Sequence, residues 1–129
     1  VNLEKAIVLL VIGAFTITFV GSLSALSEPV TREKAIEISK NSKLVKEGMA
    51  TFSFFGVVDV NYRNSSWVEQ MKKGHARATY EKVPEGHSIW DVEWTFQISE
   101  WGFVGYTVIV IVDVELAKIV YEKRGVVWG

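Results

Sequence analysis

A chain of 129 residues, 49% hydrophobic and 22% charged, suits one globular domain with a short appendage and leaves no room for a second domain. Its formal net charge of −1 argues against nucleic acid as a partner, because polyanion-binding domains carry a basic excess. With no cysteine, a disulfide, a thiol nucleophile and a thiolate metal site are excluded.

From Ala6 to Ser27 the chain reads AIVLLVIGAFTITFVGSLSALS, an uncharged run of 22 residues. As a helix it is long enough to cross a hydrocarbon core of roughly 30 Å. A buried core helix apolar all round would need a larger protein around it. Residues 1–27 therefore read as a transmembrane anchor or signal peptide, with the membrane as partner through residues 6–27, and residues 28–129 as the folded domain. Ser22 to Ser27 has the small residues of a cleavage region, with Ala25 and Ser27 spaced for cutting before Glu28. Against cleavage stand the length of the apolar part, Ala6 to Val20, and the mixed charges of the leading VNLEK. The balance favours a retained anchor. The domain is expected on the outer side of the cell membrane, as a single-pass protein or secreted; Lys5, Arg32 and Lys34 do not fix the orientation.

After Pro29, Thr31 is placed to cap a helix whose apolar side is Ala35, Ile36 and Ile38. Asn41 and Ser42 break the pattern, Leu44 and Val45 resume it, and Gly48 is expected to end it, giving two short helices or one kinked one. From Met49 the period becomes two. Phe52, Phe54, Val58, Val60 and Tyr62 alternate with Thr51, Ser53, Asp59, Asn61 and Arg63, which predicts a long strand with one buried face and a bulge or bend at Gly56. Ser66 and Glu69 have capping-box spacing, which predicts a short helix with Trp67 and Met71 on one side, closed by Gly74. Ala76 to Val83 reads as a strand, and Pro84 to Gly86 as a turn.

The segment HSIWDVEWTFQISEW, His87 to Trp101, holds three of the five tryptophans. Trp90, Val92, Trp94, Phe96 and Ile98 share one face and Asp91, Glu93, Thr95 and Gln97 the other. Burying a large aromatic side chain removes on the order of 150–250 Å² from water, which favours a core wall over an exposed ligand platform for Trp90 and Trp94. Trp101 falls in a turn. Phe103 to Glu115 is apolar on both faces, as a central strand covered on two sides would be, and Lys118 to Trp128 completes the sheet. The predicted fold class is α+β: an N-terminal hydrophobic helix, then a small domain with its first helix packed on one face of an antiparallel sheet of four to five strands.

TREKAIEISKNSKLVKE, the alternating WDVEWTF and VIVDVELAKIVYE together resemble the PepSY domain family, whose helix has the form T-x-E-x-A-I-x-I and whose strands end in D-x-x-T-G-K-V. Thr31 to Ile38 and Asp113 to Val120 carry most of the likeness, with Leu116-Ala117 standing where the family has Thr-Gly. The resemblance implies a cystatin-like α+β fold, secreted or attached to the membrane, of a kind associated with protease propeptides and with restraining peptidases or binding in the cell envelope. It supplies no catalytic residues.

Catalytic signals are thin. His75 and His87, with Glu85 or Asp91, have the chemistry for zinc, but no HExxH spacing is present and surface histidines are the plainer reading. Asp59, Asp91 and Glu93 would suit acid and base roles if they faced one another in a cleft; otherwise they are solvated strand charges. Asn64-Ser65-Ser66 fits a glycosylation sequon. No catalytic residue, cofactor or metal is expected, and the protein is not expected to be an enzyme. Trp67, Met71, Trp101 and Phe103 are the candidates for a partner-binding surface. The expected function is a non-catalytic, extracytoplasmic module that binds a peptide or protein through a sheet edge or the loops near Trp67 and Trp101, with a peptidase as one target. The alternative is a self-assembly domain of a membrane-associated complex, a homodimer pairing through Phe103 to Val112 and the anchor.

Overall fold

The computed structural model describes residues 30–99 and 104–129. The anchor at residues 6–27, Trp101 and Phe103 lie outside the described residues. Among those described, no helix is long and apolar enough to cross a membrane.

Two helices open the domain, α1 (Arg32–Ser39) and α2 (Lys43–Thr51). Thr31 Oγ1 accepts the Lys34 N–H at 3.1 Å and Ser42 Oγ accepts the Val45 N–H at 3.2 Å, so each helix has a side-chain N-cap where the sequence placed a cap or a break. Gly48 does not end α2, which runs on to Thr51. A Cβ at Gly48 would clash with the Phe96 ring. Glycine serves there to bring the helix close to the sheet.

Four strands follow: β1 (Phe54–Arg63), β2 (Ile89–Gln97), β3 (Gly105–Asp113) and β4 (Lys118–Trp128). They form one antiparallel sheet in the order β1-β2-β3-β4. The chain is thus α+β with a four-stranded antiparallel sheet. Between β1 and β2 lie α3 (Ser65–Met71) and the single turn α4 (Arg77–Tyr80).

Three local expectations need correction. Ala76 to Val83 is not a strand but contains α4. Ala76, Tyr80 and Val83 have i, i+4, i+7 spacing, and this helical period turns all three toward the second core cluster. The cap of α3 is Asn64, whose Oδ1 accepts the Trp67 N–H at 2.9 Å, so Ser66 lies within the first turn instead of capping it. The alternation in β1 is broken not at Gly56, which pairs with Thr95, but between Val57 and Asp59, by a bulge that leaves Val58 unpaired. The extra residue reverses the phase. Phe55, Val57, Val60 and Tyr62 lie opposite Phe96, Trp94, Val92 and Trp90, whereas Phe54 is turned to the other face opposite Gln97.

Helices cover both faces of the sheet. On one, α1 and α2 pack Ala35, Ile38 and Val45 against Val92, Trp94, Phe96, Val108, Val110 and Val112. On the other, Val68, Tyr80 and Val83 pack on Ile89 and Ile111. β3 is accordingly apolar on both sides and paired along both edges, as its composition predicted. The tryptophans of β2 form a core wall. Trp94 is buried with its indole N–H on Ser39 Oγ at 2.9 Å, and Trp90 donates to the Val30 carbonyl at 2.7 Å. Ile98, expected on the same face, is exposed because β2 ends at Gln97.

The β3–β4 turn holds the D-x-x-L-A-K segment. Asp113 is buried and its Oδ1 accepts the Leu116 N–H at 2.7 Å. Ala117 stands at φ 51°, the left-handed region in which glycine is at ease. The tight turn therefore forms without the Thr-Gly pair.

Candidate functional site

Antiparallel register builds a polar row on the sheet face that α3 and α4 only partly cover. Asp59 pairs with Glu93, Glu93 with Ile109 and Ile109 with Lys123; in the next row Asn61 pairs with Asp91. Together with Arg63 and Tyr80 these residues line an open cleft of about 330 Å³. The three acids that the sequence singled out for paired-carboxylate chemistry are thus brought together.

Their surroundings differ. Asp91 is half-buried, accepts the Tyr80 hydroxyl at 3.1 Å and faces Arg63 Nε at 3.7 Å. Burial raises its carboxyl above the ordinary carboxylate value, against the opposing pull of Tyr80 and Arg63. Tyr80 is also pushed up, first by burial and then by the Asp91 charge, so it remains a hydroxyl donor. Arg63 Nε is buried without a hydrogen-bond partner among the described residues, its separation from Asp91 exceeding hydrogen-bond length. The guanidinium instead lies over the Trp67 ring, 4.5 Å from its centre. At the β4 end, Lys123 Nζ donates to Thr79 Oγ1 at 3.2 Å. Asp59 accepts only from Asn61 Nδ2, at 2.8 Å, and Glu93 has no hydrogen bond or ion pair among the described residues.

Beside this cleft runs the outer edge of β1, which among the described residues pairs with β2 on one side alone. Phe54, Phe55, Val58 and Tyr62 remain 41%, 45%, 57% and 51% exposed along it. Sheet edges are usually blunted by lysine, proline, bulges or a covering element. β1 has the bulge at Val58 but neither lysine nor proline. The opposite edge, β4, carries Lys118, Glu122, Lys123 and Arg124, and Glu122 Oε1 accepts the Leu44 N–H at the start of α2 at 3.1 Å.

Of the residues expected to meet a partner, Trp67 and Met71 are half-buried on the second core cluster, with Trp67 edge-on to Tyr80 at a ring separation of 5.2 Å. The sequon residue Asn64 is the α3 cap. His75 is exposed. His87, Asp113 and Glu115 place one ligand-type atom each within 4.8 Å of one another. Those carboxylates already hold the loops around them: Asp113 Oδ2 meets His87 Nδ1 at 2.8 Å, and Glu115 Oε2 accepts the Ser88 N–H at 3.0 Å. The arrangement ties the start of β2 to the β3–β4 turn.

Sequence reasoning allowed for a sheet edge but did not identify β1 as that edge. Its signal was present in FFGVV, five residues without a charge, but the bulge that turns Val58 outward has no distinct sequence mark. Comparison with protein-family models, with curated proteins and with solved structures finds no match to this chain.

Proposed function

We propose that this chain is a non-catalytic binding domain, held at the outer face of the cell membrane or secreted, which takes an extended segment of a peptide or protein as a fifth strand along β1. The observation that carries this reading is the edge of β1, unpaired among the described residues, with its four exposed large side chains. Strand addition at such an edge draws affinity from main-chain hydrogen bonds and selectivity from alternate side chains. The uncharged run Ala6 to Ser27 supports the membrane setting, and the PepSY-like motifs support a place in the cell envelope, with a peptidase segment as one target of the edge.

Self-assembly is the second reading, and the same edge favours it, since two copies of β1 could pair with one another. The route through Phe103 to Val112 has less in its favour, because β3 is paired on both edges and buried on both faces. Sedimentation of the 129-residue chain in detergent over a range of concentrations separates the two. A monomer supports peptide capture, and a tight dimer supports self-pairing.

Fluorescence anisotropy with labelled, end-blocked peptides of alternating valine and glutamine tests the edge itself. Binding is expected, and Val58→Lys, which places a charge on the exposed edge, should weaken it about tenfold. Unchanged binding by Val58→Lys would count against strand addition at β1.

A further inference from the structure

The row that crosses the sheet from β1 states what kind of strand the edge would accept. Asp59 and Glu93 are directly paired across β1 and β2, and like charges in that relation repel. Among the described residues neither is neutralised: Asp59 has the Asn61 amide alone, and Glu93 has no polar partner. The nearby cations are otherwise engaged, Arg63 with Trp67 and Asp91, and Lys123 with Thr79 two strands away from Glu93. Asp59 is exposed at the outermost position of the row. A strand added beside β1 would set a side chain roughly 4.5–5.5 Å from that of Asp59, on the same face, and a lysine or arginine stem is long enough to reach Glu93 as well. Alternate side chains of the added strand would fall on the opposite face, which carries Val60 and Tyr62 beyond Asp59, and Val57 and Phe55 before it, where apolar groups fit.

We infer that the β1 edge selects extended segments carrying a basic residue at the position beside Asp59, flanked by apolar residues, with Asp59 and Glu93 as the selecting pair. This rests on the strand-addition reading above and adds the chemistry of its ligand. Acidic segments are disfavoured by the same pair.

Three end-blocked peptides of alternating valine and glutamine, with the central glutamine kept or replaced by lysine or glutamate, test it against the 129-residue chain in detergent. The lysine peptide should bind about fivefold more tightly than the glutamine peptide, and the glutamate peptide more weakly than either. The lysine preference should shrink with added salt and vanish in the Asp59→Asn, Glu93→Gln double variant, while glutamine-peptide binding persists there. Equal binding of all three peptides would overturn the selectivity and leave strand addition standing. No binding by any of them would overturn both. The wild-type peptide series carries the test even if the double variant folds poorly.

Discussion

Ser39 shows how much one small polar side chain holds in this core. Its hydroxyl accepts the Trp94 indole N–H at 2.9 Å and donates to the Ile36 carbonyl at 2.6 Å. Ser39→Ala would leave the indole N–H buried and unpaired, and urea unfolding should show a loss of about 1–3 kcal/mol. Trp94 as core wall was legible in the alternation of β2. Its partner was not, because a hydrogen bond across 55 positions leaves no periodic trace in sequence. Asp91 gives a prediction in pH. Burial raises its carboxyl above the ordinary 3.8, so as pH rises the unfolded chain releases this proton before the folded one does. The group's favourable contribution is complete below 3.8 and is lost as pH rises through the folded value. Asp91→Asn keeps an acceptor for the Tyr80 hydroxyl and carries no charge. Its stability relative to the parent should improve from acid to neutral pH in paired urea titrations; a difference that stays flat or narrows would contradict the burial account.

At the scale of elements, local signals served well where one residue type has one physical role. Thr31 and Ser42 capped helices as their side chains suggested. They served poorly where two periods compete. Ala76 to Val83 satisfies a strand by composition and a helix by the spacing of Ala76, Tyr80 and Val83; the second core cluster, invisible from that stretch alone, selects the helix. The β1 bulge similarly overrode a clean alternation by inserting Val58. The β3–β4 turn offers an element-level test, because Ala117 holds φ 51°. A left-handed conformation costs an L-residue roughly 1–2 kcal/mol, part of which glycine returns through its freer unfolded chain. Ala117→Gly should therefore stabilise the domain by about 0.5–1 kcal/mol in thermal or urea unfolding, and a loss of stability would show that the Ala117 methyl has a packing role.

Across the whole molecule, helices before β1 cover one face of the sheet and helices between β1 and β2 partly cover the other. This leaves a polar cleft and one apolar edge side by side. The α+β class and the doubly covered central strand were legible, since β3 is apolar in both phases. The cleft was not, because Asp59 and Glu93 belong to strands separated by α3 and α4, and only register sets them opposite each other. Amide hydrogen exchange of the 129-residue chain in detergent, with and without the alternating valine–glutamine peptide, tests the central claim most directly. The account predicts slowed exchange at the outward amides of Asp59 to Arg63, with β4 unchanged. Slowing confined to β4 or the helices, with β1 unaffected, would contradict it.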